Sequence, residues 1–495
     1  MLKARQLRDT HRLTLFAGAL TLGMILTFIA QRFGVPAAFL SLLLIPLAIF
    51  VAPAAIRQAL GLSRALRGRL AWWHGLWLLL LLSSLTFRVR TSDAIEDAPV
   101  DSWAAYRITL VGIVALFLGV RLALRRTAWV GSLFRGLPGV LAAYALVSVV
   151  STTWSGHPAW TLYRSLEYGV DIALLAAILA TAGSVETYCT LFDWTWALYL
   201  LLVFSIWAGV LIWPREALQP SRGLIGTDLT GVFPAIPANT VGELGAVLAI
   251  VALARLLLNS GDPPNRTVYS LLLLVGFATL VLSQTRSAIA GFLLGVVLLL
   301  FLAKKTMLWV SAVFASLVIL ASGAGDLLGD YFLRGQTPEL FTSLTGRVDW
   351  WEAGWQAFMT SPLTGLGAYT ARFEVLARTG NSETSTIHNT CLEVLVGTSF
   401  WGLVPVLVAL ITTWWVIIRY VRNHPRNSCE RRMALEAAAV LAVVSVRSLF
   451  SSNLIAHPSL SFLLLVGYAQ FLRRRGTDLD QPADGFQPRT SRGAW

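Results

Sequence analysis

Arg222, Arg286, Arg347 and His388 are the residues of this chain whose types and placement could do chemistry. Arginine stays charged in a protein and presents a planar fork matched to phosphate oxygens. Histidine, with an unperturbed pKa of ~6.5, takes a proton near neutrality. The set suits binding a diphosphate and deprotonating an acceptor hydroxyl, with no metal required. Arg286 lies in LSQTRSAIAGF with an apolar run on each side, where a guanidinium usually faces a polar cavity or an anionic partner. Arg222 lies in a Gly- and Pro-rich connector, Arg347 opens GRVDWWEAGWQAFM, and His388 closes the same loop. Plainer roles stand beside these: a snorkelling interfacial arginine at 286, a loop arginine at 222, and a cap or a pair with Asp349 or Glu352 at 347. His388 is equally readable as an isolated loop histidine. Glu393 is a geometrically loose partner for it, and nothing around His157 or His457 suggests a cluster.

The elements that must position these residues are membrane helices. Of 495 residues, 56% are hydrophobic and 13% charged, about half the charge of an ordinary soluble domain. Apolar runs near the ~20 residues that cross a hydrocarbon core recur from end to end, without the short alternating segments of a β-barrel. The chain reads as an all-α polytopic integral membrane protein with about 12–14 transmembrane helices and one large external loop. The spans fall at 13–30, 37–55, 70–86, 106–124, 138–153, 162–182, 191–213, 238–258, 267–284, 287–303, 306–322, 391–419, 433–450 and 459–472.

A net charge of +13 does not point to nucleic acid, because Lys and Arg cluster between spans. The positive-inside rule accounts for them and puts the acidic 92–101 connector and the 323–390 loop outside. The organisation expected is a basic cytoplasmic start (1–12), a helix bundle (13–322), an outer loop (323–390), further membrane helices (391–472) and a disordered cytoplasmic tail (473–495). Aromatics at 350, 351, 355 and 358 place one face of an amphipathic helix at the interface, with Gly365 and Gly367 in a turn behind it. Three cysteines, Cys189, Cys391 and Cys429, are too few and too scattered for a disulfide frame or a metal site. No cleavable signal peptide is apparent, and no phosphate-loop, zinc-protease or nucleophile-elbow motif is present.

Four segments, in order, resemble the O-antigen ligase and polymerase superfamily of bacterial envelope glycan transferases. They are SRGLIGT…PANTVG (221–242), SQTRSAIAGF (283–292), GRVDWWEAGWQAFMTSPLTGLGAY (346–369) and HNTCLEVLVGTSFWG (388–402). The resemblance implies a GT-C-like fold in the bacterial inner membrane, with a periplasmic active site and no cofactor. It implies a glycan donor on undecaprenyl diphosphate, and transfer with inversion to a sugar hydroxyl of lipid A–core or another glycan acceptor. By the same resemblance Arg222 and Arg286 bind the diphosphate and His388 is the essential histidine; Arg347 matches the arginine that opens the loop helix. The chain departs from the family at Gly397-Thr398-Ser399-Phe400, where a glutamate–glycine pair is usual, and in having more than the usual dozen or so spans. Within the family, a polymerase or a protein-glycosylating ligase shares the donor and the site. Outside it, the rivals are a transporter, whose charges would lie near the midplane, and a membrane scaffold.

Overall fold

The structure, a computed structural model, describes residues 71–85, 100–124, 128–221, 224–258, 263–322, 324–337, 346–380, 386–425 and 428–479. The basic start, the first two expected spans, Arg222 and the tail from 480 lie outside the described residues. The chain divides into two compact units, Met1–Leu70 with Ser260–Leu271, and Ala71–Asn259 with Leu272–Trp495. Of the first, the described residues are the opening turns of one helix; the second holds all the other described residues.

Each of the other twelve expected spans coincides with a helix. In order these are α1 (Trp72–Ser84), α2 (Ser102–Ala123), α4 (Gly136–Val150), α5 (Pro158–Thr181), α6 (Val185–Ile212), α8 (Ala238–Leu258), α9 (Pro263–Leu282), α10 (Arg286–Leu302), α11 (Thr306–Ala321), α15 (Thr390–Asn423), α16 (Cys429–Ser448) and α17 (Leu460–Leu479). Short helices lie between them: α3 (Ala128–Leu133), α7 (Pro214–Ala217), α12 (Ala324–Leu333), α13 (Arg347–Thr360) and α14 (Ala371–Thr379). One antiparallel hairpin, β1 (Leu218–Pro220) with β2 (Thr227–Leu229), flanks the segment that holds Arg222. Among the described residues five helical stretches are long and apolar enough to cross a membrane: Ser102–Ala123, Gly136–Thr153, Val185–Ile212, Ala238–Leu258 and Thr390–Asn423. The protein is an all-α, multi-pass membrane protein.

Capping residues mark where the helices start. Asp101 accepts from the Ala104 N–H at 2.8 Å at the head of α2, and Asn389 from Leu392 N–H at 3.0 Å at the head of α15. Such caps satisfy amides that the helix itself leaves unpaired. The centre of the unit is α16, whose residues 433–444 are buried throughout. Its alanines admit close neighbours, and small residues on α10 use that room. A side chain at Gly291 or Gly295 would meet the α16 backbone at Val443 or Ala439, 3.0 and 2.9 Å from its Cβ. Gly245 of α8 and Gly276 of α9 approach in the same way. In lipid, where apolar contact alone gains little, such small-residue crossings supply the packing that holds helices together.

Helix α15 is broken in its interior. Ser399 has φ 56° and ψ −154°, which interrupts the helical ladder. Freed by that break, the carbonyls of Val396 and Gly397 accept from Leu366 N–H and Gly367 N–H, both at 2.9 Å. The turn after α13 therefore plugs into the break. Gly365 and Gly367 have φ of 72° and 109°, and a Cβ at Gly365 would lie 2.5 Å from the Gly397 oxygen. Trp401 Nε1 donates to Leu363 O at 2.9 Å and Ser399 Oγ to Pro362 O, completing the seam.

The candidate functional site

His388 sits immediately before α15, in the left-handed region with φ 56°. Such a conformation is uncommon for a residue with a side chain and has to be held by its surroundings. Three contacts hold it. Glu393 Oε2 accepts from Ile387 N–H at 3.0 Å, Thr386 Oγ1 accepts from His388 N–H at 3.1 Å, and Asn389 caps α15. Glu393 thus braces the backbone beside the histidine, whereas spacing alone suggested an acid orienting the ring. The imidazole itself packs against Trp350, with ring centres 5.4 Å apart.

Arg347 is the first residue of α13, and its guanidinium lies over the Phe450 ring at 5.9 Å. Among the described residues it forms no ion pair with Asp349 or Glu352, so the capping role open in the sequence is not the one seen. α13 is the expected helix, but its buried residues are Ala353, Gly354, Ala357 and Phe358, while Trp355 is about half exposed. Of the aromatic stripe, Phe358 is buried, Trp350 and Trp351 pack half-buried beside it, and Trp355 faces outward. Small residues let α13 lie close to Ile387 and Leu392, and Trp351 Nε1 reaches Ile387 O at 3.1 Å.

Arg286 opens α10. Its Nε donates to Phe332 O at 2.7 Å, and its Nη2 to Leu333 O at 3.2 Å and Gln336 Oε1 at 2.7 Å. The C-terminal end of α12, with its exposed carbonyls and negative dipole end, therefore meets this guanidinium. Next to it Gln284 ties the α9–α10 turn to β2, through Thr227 O and Asp228 Oδ1, both at 2.7 Å. Asp228 also pairs with Arg334.

A fourth arginine joins this end of the bundle, and sequence reasoning missed it. Arg447 closes α16 and is almost fully buried. Its Nη1 donates to Ser287 Oγ at 2.7 Å and its Nε to Glu243 Oε2 at 3.2 Å. The available signal was a charge inside an expected span, which such a helix carries only with a partner; that partner, Glu243, is 204 residues away.

These cations act on one another. Burial, then the charges of Arg447 and Arg286, push the Arg347 pKa down to about 10. Burial, then Arg347 and Arg447, push His388 down to about 4. His388 is consequently a neutral imidazole at physiological pH, able to accept a proton and surrounded by charges that an anion would offset. His388 and Arg347 thus share the field of Arg447, and Arg286 lies within electrostatic reach of Arg347. Among the described residues, no group of three or more His, Cys, Asp or Glu side chains gathers to hold a metal ion.

His457, which looked isolated, is not. Its Nδ1 meets both Asp171 oxygens at 2.8 and 2.9 Å, and its Nε2 lies 2.8 Å from Ser83 Oγ, all of them buried. This clamp fixes one end of the loop 449–459. At its other end Ser452 donates to Glu393 Oε2 and Ser451 O accepts from Thr390 Oγ1. His157 likewise stacks on Phe373 at 4.0 Å.

A search of curated proteins finds no match to the chain. Residues 271–407 match the model of a family described as O-antigen ligase. That stretch contains Arg286, Arg347 and His388 and stops short of Arg447. Over this segment, a little over a quarter of its length, the chain is similar to that family.

Proposed function

We propose that the protein is an O-antigen ligase-type glycosyltransferase of the bacterial inner membrane, acting at its periplasmic face. The donor is a glycan on undecaprenyl diphosphate and the acceptor a sugar hydroxyl of lipid A–core. The observation that carries this reading is a neutral, partly buried His388 in the field of Arg347 and Arg447, with Arg286 in turn acting on Arg347. As the acceptor oxygen bonds to the anomeric carbon, the bond from that carbon to the diphosphate oxygen breaks. The electron pair leaves with undecaprenyl diphosphate, and the acceptor proton goes to the His388 imidazole. Attack opposite the leaving group inverts the anomeric centre. Arg286 and Arg347 stabilise the departing charge, the electrostatic contribution that is usually largest, and Arg222 serves the same anion. Arginine cannot be the base, because it does not lose a proton in a protein.

The first donor phosphate to arrive competes with the α12 carbonyls for the Arg286 fork. Reconstitution in liposomes tests the assignment, with a glycan on undecaprenyl diphosphate supplied with and without lipid A–core. Glycan on lipid A–core, formed only when that acceptor is present, is the expected product. Longer lipid-linked chains from donor alone would instead make the protein a polymerase, and glycan on protein serine a protein ligase. No new bond from folded protein would turn the reading to transport.

A further inference from the structure

The end of α16 opposite Arg447 carries a second set of chemically distinctive side chains. Cys429, the first residue of α16, and Cys189, in the second turn of α6, bring their sulfurs to 3.9 Å. Met433 Sδ lies 3.0 Å from Cys189 Sγ and one helical turn on from Cys429, on the same face of α16. The cysteines, separated by 240 residues, looked too scattered in sequence to share a site. Packing of α16 beside α6 brings them together, and Cys429 remains exposed to solvent. A cysteine serving only as a small core hydrophobe would be buried.

We propose that Cys189, Cys429 and Met433 form a binding site for a soft monovalent cation, of which copper(I) is the type. The distances fit. A metal about 2.3 Å from each of two sulfurs that lie 3.9 Å apart sees them at an angle of about 116°, close to trigonal, with the third position left for Met433. Its thioether moves outward from Cys189 by under about 1 Å to fill that position, a shift within the reach of an unbranched side chain. The chemistry fits as well. The carboxylates around these sulfurs are already committed, Asp193 Oδ1 to Arg255 at 2.7 Å, Glu436 Oε2 to Arg255 at 2.8 Å and Glu430 Oε1 to Arg475 at 3.1 Å. Glu436 Oε1 also accepts from Trp196 Nε1 at 2.7 Å. The donors on offer are therefore sulfur, and thiolate with thioether selects soft ions such as copper(I) over zinc, magnesium or calcium. A disulfide between the same thiols would leave Met433 without a role.

Binding forms two thiolate–copper bonds and one thioether–copper bond. The two thiol protons go to solvent and copper stays in its +1 state, so no oxidant is needed. Affinity accordingly rises with pH. The site is independent of the glycosyl-transfer reading.

The test uses the full-length protein in detergent, under argon with a non-thiol reductant. Copper(I) is titrated in competition with the chromogenic chelator bicinchoninate, and the loaded protein is weighed intact. One equivalent is expected, lost in Cys429→Ser and Cys189→Ser and unchanged in Cys391→Ser. Met433→Leu, which keeps the shape and removes the sulfur, is expected to weaken binding by about tenfold or more. Cys429 is exposed, so its variant keeps the test valid if Cys189→Ser fails to fold. The proposal is overturned if no copper is retained, if Met433→Leu binds as tightly as the parent, or if the mass shows only the loss of the two thiol hydrogens.

Discussion

His388 owes its chemical state to its neighbours. Its pKa is depressed to about 4 by burial and by Arg347 and Arg447. The unfolded chain, with an ordinary histidine, takes up a proton below ~6.5 that the folded protein refuses until about pH 4. This residue therefore costs stability progressively as pH falls through that window and costs nothing above it. On the proposed reaction, activity follows the donor complex instead. A bound diphosphate offsets the two arginines, so the imidazole pKa rises in that complex. The acid limb of kcat is expected at higher pH than that of kcat/KM, and His388→Ala is expected to lower kcat by about 100-fold or more; coincident limbs in a pH–rate series would argue against it. Arg447 gives a second test. Arg447→Ala leaves the half-buried Glu243 without its cation and Ser287 without its donor, and the melting temperature should fall by several degrees. Arg447→Lys keeps the charge but not the fork to Ser287 and Glu243, and a small drop in melting temperature with weaker donor binding is expected. Arg286, Arg347 and His388 stood out in the sequence because a polar residue inside or beside an apolar run is conspicuous. Arg447 and the His457 clamp did not, since each is defined by a partner hundreds of residues away.

Among the elements, the seam between the α13 turn and the break in α15 fixes where His388 stands. Ser399 occupies a backbone region that is essentially reserved for glycine and costs about 1–3 kcal/mol. A glycine at this point would relax it. Ser399→Gly is expected to raise the melting temperature despite losing the bond to Pro362 O, whereas Ser399→Ala keeps the strain and loses the bond, and should lower it. Thermal unfolding of both variants in detergent decides the matter. The helix over α13 and the glycine turn behind it were visible in spacing and composition. Which residues α13 packs against was not, because nothing in its spacing names Ile387 and Leu392 as the side chains that Gly354 lets approach.

For the whole molecule, hydropathy was a reliable guide. Each described apolar run became a helix because a backbone in lipid must satisfy its own hydrogen bonds. Helix packing was far less legible, since glycines such as Gly245, Gly276, Gly291 and Gly295 announce a close approach without naming the partner. The charge pattern carries a further expectation, that the Cys429 end of α16 faces the cytoplasm and the α13 turn the periplasm. In a background with its other cysteines replaced by serine, Cys429 should react with a membrane-impermeant maleimide only after the inner membrane is opened. A cysteine at exposed Leu363 should react in intact spheroplasts. The reverse pattern would invert the topology and with it the side on which glycan is joined.

The interruption at Ser399 also redraws the mechanical parts of the protein. Residues 390–398 are continuous in sequence with a long membrane helix, yet their free carbonyls are claimed by the α13 turn and their cap belongs to the His388 loop. In stiffness they belong with the external segment, and the joint between cap and membrane body runs through the middle of α15. A rotation about that joint would carry His388 with the α13 turn, while Arg447 stays rooted in α16.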